Sequence, residues 1–111
     1  MRNIDSLKNT SQFREVYENG RSCANSLLVL YTFENGSDSR KLGISVSKKT
    51  GNSVVRHRIT RLIRESFLML KNEMPAGRSY VVIARPKAAG RSFSDIYNAL
   101  LYLANKSVKL K

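Results

Sequence analysis

Between Asp38 and Glu65 the chain carries eight cations, Arg40, Lys41, Lys48, Lys49, Arg56, Arg58, Arg61 and Arg64, and no carboxylate. A field that dense repels itself in the isolated protein and is relieved by a polyanion, so phosphate binding is the first chemistry it suggests. The whole chain shares the imbalance: 20 Lys and Arg against 8 Asp and Glu give a net charge of +12 on 111 residues. Nucleic acid is the leading partner, although charge alone does not separate RNA from DNA.

The inventory for catalysis is thin by comparison. Asp5, Glu15, Glu18, Glu34, Asp38, Glu65, Glu73 and Asp95 are scattered, without the clustering that two-metal nucleases use to hold Mg²⁺. His57, the one histidine, stands between two arginines and has no carboxylate near it in sequence to orient it as a general base. Cys23 is the single cysteine, which excludes an intramolecular disulfide or a cysteine zinc site and fits a small, semi-buried hydrophobe. The glycines are dispersed and form no nucleotide-binding loop. Neither a protein-borne active site nor a protein-held metal is expected.

Aromatic side chains supply the second kind of binding chemistry. Phe13 and Tyr17 are four apart and share one helix face, and Tyr31 lies in an apolar run, so all three could stack unpaired bases. Their spacing is equally that of residues packed on a core. The stretch Leu42 to Ser47 alternates Leu42, Ile44 and Val46 with Gly43, Ser45 and Ser47. Its small face is either a solvated surface or the floor of a groove in which a ligand backbone lies close to the sheet.

These groups need elements to position them. Asn9 three residues before Gln12 resembles a capping box, and Phe13, Val16 and Tyr17 follow at helical spacing until Gly20. Arg21 to Asn25 gives a weak edge-strand signal, and Leu27 to Phe33 is nearly continuous in apolar residues, as for a strand covered on both faces. Glu34 to Ser39 is a turn by composition, and Arg40 to Ser47 returns as a strand, which reads as a β-hairpin. After the connector Lys48 to Asn52, with Asn52 or Ser53 as N-cap, Val55, Ile59, Leu62, Ile63, Ser66, Phe67 and Leu70 form an apolar helical stripe. His57, Thr60, Arg61 and Arg64 fall opposite it, and Arg56 and Arg58 flank it. Cations in a first turn oppose the helix dipole and suit a phosphate ligand. Ser79 to Ala84 is a further strand closed by Arg85-Pro86, Lys87 to Arg91 a basic connector, and Ser92 or Ser94 the cap of a last helix with Phe93, Ile96, Tyr97, Leu100, Leu101 and Leu103 or Ala104 in its stripe.

The result is one domain over 1–111, an α+β sandwich with a small sheet, with 1–8 and 106–111 expected to be loosely held. The longest apolar run falls far short of the ~20 residues that span a bilayer, and no secretory signal is visible, so a cytoplasmic protein is expected.

The central stretch S-V-S-K-K-T-G-N-S-V-V-R-H-R-I-T-R-L-I-R-E, Ser45 to Glu65, closely resembles the signature of the bacterial ribonuclease P protein component. The likeness extends to Phe13, Val16, Tyr17 and Gly20, to V-L-Y-T at Val29 to Thr32, and to V-V-I-A-R-P at Val81 to Pro86, and so covers essentially the whole chain. It implies a two-layer fold with a mixed sheet, like the second domain of ribosomal protein S5, with a left-handed β-α-β crossover around the basic helix, against the usual hand. It further implies an accessory subunit of an endoribonuclease that removes the 5′ leader of precursor tRNA, with catalysis in an RNA subunit whose bound Mg²⁺ activates water. The expected partners are that catalytic RNA and precursor tRNA, with no obligatory protein partner and no membrane. RNA-binding residues carried over by the resemblance are Lys48, Lys49, Asn52, Arg56, Arg58, Arg61 and Arg64, with His57 between them. The leader groove carried over is Phe13, Tyr17, Tyr31 and Ser45. His57 stands where the family usually has asparagine, and loses the paired donor and acceptor of an amide, and Thr60 replaces a frequent lysine. Two other readings fit the composition: a free-standing basic RNA-binding protein of ribosomal or chaperone type, and a protein-only nuclease.

Overall fold

The computed structural model describes residues 4–109. Asn9 opens the first helix with the reciprocal cap its sequence predicts: its side-chain oxygen accepts from the Gln12 N–H at 3.0 Å, and the Gln12 side chain accepts from the Asn9 N–H at 3.3 Å. α1 spans Thr10–Asn19 and ends at Gly20, where a Cβ would stand 2.5 Å from the Thr32 carbonyl oxygen. A residue without a side chain lets the helix end approach that strand.

The strands β1 (Ile4–Ser6), β2 (Arg21–Ala24), β3 (Leu28–Glu34), β4 (Arg40–Val46) and β5 (Arg78–Ala84) form one mixed sheet in the order β1-β4-β5-β3-β2. β4 and β5 are parallel neighbours joined through α2 (Ser53–Met69), which is the β-α-β unit of the fold. β5 and β3 are antiparallel, as are β3 and β2, while β1 adds to the outer edge of β4 in parallel. α3 (Phe93–Lys109) closes the chain order.

Three sequence expectations are corrected. β3 and β4 are not a hairpin, because β5 lies between them and pairs with both. Tyr80, Val81 and Val82 are fully buried, so β5 is apolar on both faces and takes the centre, where both faces are covered. Residues 4–6 of the supposed lead-in form β1, held by backbone pairing with Arg40 to Leu42, which needs no apolar side chains. The basic tail does not fray at Lys106: α3 continues to Lys109, with Ser107 buried and its hydroxyl donating to the Ala104 carbonyl at 2.9 Å. Met1 to Asn3, Leu110 and Lys111 lie outside the described residues.

The sheet has unequal faces. On one, Leu28, Leu30, Leu42, Tyr80 and Val82 meet Ile59, Ile63 and Phe67 of α2 and Ile96, Leu100 and Leu103 of α3 in a single core. Each large apolar side chain fully buried there contributes roughly 1.5–3 kcal/mol, so the α2 stripe anchors the basic helix firmly. On the other face α1 covers only part of the sheet, burying Leu7, Val16 and Val81, and leaves Val29, Tyr31, Ser45 and Ile83 half-covered. The apolar run of β3 is thereby explained, since its side chains serve both faces.

Candidate nucleic-acid interface

The N-terminus of α2 is built by its own loop. Lys48–Thr50 forms a 3₁₀ turn with both lysines exposed, and the Asn52 side-chain oxygen caps α2 by accepting from the Val55 N–H at 3.0 Å. Arg56 Nε donates to the Gly51 carbonyl at 3.2 Å, tying the helix back to that loop. Arg58 Nη1 donates to the Arg91 carbonyl at 3.0 Å, and Arg91 Nε donates to the Lys87 carbonyl at 3.3 Å. The connector between β5 and α3 is thus held beside α2, and its cations join the same field. Arg91 also pairs with Asp95 at 3.9 Å on the surface.

The stripe is buried as its spacing predicts, with Val55 half-buried at its start. His57, Arg61 and Arg64 are exposed opposite it, and the two arginines have no hydrogen-bond or ion-pair partner among the described residues. Thr60 departs from the expectation: it is half-buried and its hydroxyl donates to the Arg56 carbonyl at 2.9 Å. Beside these cations Val54 is 76% exposed, in a shallow hollow with Ser53, His57, Arg58 and Arg61. Sequence reasoning passed over Thr50, whose hydroxyl is buried without a hydrogen-bond partner among the described residues. A buried hydroxyl without a partner costs free energy, so this position does not add to the stability of the loop.

The second site lies on the half-covered sheet face. Phe13, Tyr17, Tyr31 and Ser45, separated by up to 32 positions in the chain, come together there. Tyr17 and Tyr31 meet edge-to-face at 5.0 Å between ring centres, and Phe13 follows at 6.3 Å from Tyr17. Burial raises the Tyr17 hydroxyl pKa above its usual range, Tyr31 adds to the rise, and a hydrogen bond with the Ser45 side chain opposes it. The hydroxyl therefore remains a neutral donor and acceptor at neutral pH. Phe13 divides its role: a Cβ on Gly43 would stand 2.6 Å from its Cζ, so the ring lies directly on the sheet backbone while its remaining surface is half-exposed. Tyr17 is 38% exposed and presents the freest ring of the three. Phe13 thus packs against the sheet, whereas Tyr17 lies more open beside it.

Cys23 is buried, its thiol pushed up in pKa by burial and partly offset by Lys106, and it contacts the Leu103 carbonyl at 3.7 Å. Among the described residues no group of three His, Cys, Asp or Glu could hold a metal ion, and no helix is long and apolar enough to cross a membrane.

A family model described as Ribonuclease P matches residues 1–108. The ribonuclease P protein component of Lachnoclostridium phytofermentans is 51% identical over 100 residues, 90% of this chain and 86% of that protein. The chain superposes on the RNase P protein of Staphylococcus aureus with a TM-score of 0.84 at 39% identity, covering 91% of this chain and 93% of the other. For the protein from Thermotoga maritima the TM-score is also 0.84, at 30% identity over 92% and 96% of the two chains. The chain belongs to the ribonuclease P protein component family, the protein subunit of the ribonucleoprotein endoribonuclease that matures the 5′ ends of tRNA.

Proposed function

We propose that this subunit divides two RNA contacts between its two sites. The face formed by Lys48, Lys49, Asn52, Arg56, His57, Arg58, Arg61 and Arg64 binds the folded catalytic RNA. The groove of Phe13, Tyr17, Tyr31 and Ser45 holds the single-stranded leader of precursor tRNA. The observation that supports this most directly is the pairing of Tyr17 of α1 with Tyr31 on the half-covered sheet face, with the Ser45 side chain hydrogen-bonded to Tyr17. Rings exposed on one side beside a small-residue floor accept stacked, unpaired bases, whereas a cationic helix face tracks phosphates without reading sequence.

Hydrolysis of the phosphodiester is assigned to the RNA subunit and its Mg²⁺. The dispersed carboxylates of this chain do not fit a metal site, so its own contribution is to bind, orient and neutralise charge. The setting is the cytoplasm, where tRNA precursors are made, and no further protein is required.

The test is precursor-tRNA cleavage by the cognate catalytic RNA at low Mg²⁺, with and without the protein. Cleavage should rise on addition, and the protein should strengthen binding of leader-bearing substrate more than of mature tRNA. If roughly six phosphates are neutralised, log affinity falls against log salt with a slope of about −4 to −5. Equal affinity for substrates with and without a leader would remove the groove from the account.

A further inference from the structure

A cavity of about 160 Å³ lies past the edge of β4, between α1 and α2. Phe13 and Leu7 form one wall, Thr60, Arg64 and Leu68 of α2 the other, and Leu42, Gly43 and Ile44 of β4 line the floor. It is distinct from the groove, which lies on the face of the sheet, and the two share only the Phe13 ring.

The strand edge gives this cavity its chemistry. β1 pairs with β4 only as far as Leu42, whose carbonyl accepts from the Leu7 N–H at 3.0 Å. In a parallel ladder the N–H and C=O of one residue point to the same side, and alternate residues repeat that direction. The backbone N–H and C=O of Ile44 therefore face the same edge, one step beyond the last paired rung and in the lining of the cavity. A donor and an acceptor stand side by side there. Thr60 adds an acceptor, since its proton is already given to the Arg56 carbonyl, and Arg64 adds an exposed guanidinium without a partner among the described residues.

We propose that this cavity is a nucleobase pocket, which seats one unpaired base of bound RNA against Phe13 and reads its edge through Ile44 N–H and C=O. The size agrees, since an apolar cavity of about 150 Å³ accepts a six-membered aromatic ring. The polarity agrees as well: unpaired bases are recognised by a ring face on one side and paired donors and acceptors along an edge. Arg64 then meets the phosphate of the seated nucleotide, so one residue of the cationic face also serves a base-specific contact. The proposal rests on the reading of the chain as an RNA-binding subunit, and it makes Phe13 the junction between groove and pocket.

The test is a titration of the ¹⁵N-labelled full chain with adenosine and uridine 5′-monophosphates and with a short single-stranded RNA, followed by amide and methyl shifts. The Ile44 amide and the Leu68 methyls should move together and saturably. Leu68→Trp fills the cavity and should weaken that response roughly tenfold while Tyr17 and Tyr31 still respond to the RNA. Thr60→Val, which keeps the volume and removes the acceptor, should weaken it about threefold, and supplies a second reading if the tryptophan variant does not fold. RNA-dependent shifts at Tyr17 and Tyr31 with a silent Ile44 would overturn the pocket and leave the proposed function standing. A chain silent at both places would overturn both.

Discussion

The cationic face of α2 and the aromatic cluster beside α1 are built on opposite designs. On the helix, Arg61 and Arg64 stand free, each contributing charge independently of the other. In the groove each part leans on the next: Phe13 on Gly43, Tyr17 on Tyr31, and the Tyr17 hydroxyl on Ser45. Independent charges give an affinity that is additive and salt-dependent, while coupled rings give one that is specific in shape and indifferent to salt. A helix face and a sheet face of one small domain should therefore fail differently when damaged.

Removing charge should have the largest effect. Arg61→Ala combined with Arg64→Ala should weaken RNA binding roughly 30-fold near 0.1 M salt and flatten the log–log salt slope by about 1.4 to 1.8, with the melting temperature unchanged. Binding measured across a salt series checks both numbers, and an unchanged slope would remove these residues from the phosphate contact. Tyr17→Ala should come next, costing roughly tenfold in affinity for leader-bearing substrate at every salt concentration and nothing for mature tRNA. If the tyrosine variant instead changed the salt slope, the two surfaces would not be separable.

The parts of this arrangement that follow from local pattern are visible in the chain itself. Asn9 and Gln12 announce their cap, and the α2 stripe from Val55 to Leu70 announces its buried face, because both depend on residues three or four apart. The cationic field is equally visible, as an absence of carboxylates. Strand partnership is not: alternation tells which face Leu42 or Ser45 occupies, never that β5, some forty residues later, will separate β4 from β3. β1 escapes for a related reason, since Ile4–Ser6 is held by backbone bonds that leave no mark in side-chain composition. At the site, resemblance grouped Phe13, Tyr17, Tyr31 and Ser45 where spacing left them undecided. Neither route could find the bond of Arg58 to the Arg91 carbonyl or the cavity beside Thr60, which arise only where distant elements meet.

That bond makes Arg58 an intermediate case between the two designs. Arg58→Ala removes a cation and also releases the β5–α3 connector, so it should lower stability by about 1 kcal/mol, a shift of a few degrees in thermal melting, whereas Arg61→Ala should not. Equal melting temperatures for the two variants would return Arg58 to the freely solvated cations.

The smallest effect sharpens the comparison most, because it isolates one hydrogen bond inside the coupled site. Tyr17→Phe keeps the ring and removes the hydroxyl bonded to Ser45, and should reduce leader affinity about threefold. Its pH behaviour follows from the direction of the Tyr17 shift. Burial first, then the neighbouring Tyr31, raise the folded-state pKa above 10.0, so folding favours the neutral phenol. That contribution to stability is fully present below the unfolded value and is lost as pH climbs through the raised one. Wild-type leader binding should therefore run parallel to that of the phenylalanine variant up to the ordinary tyrosine range, and the two should diverge only above it. A wild-type affinity that fell earlier, with the variant flat, would mean that the phenol ionises in the groove and that Ser45, not burial, governs it.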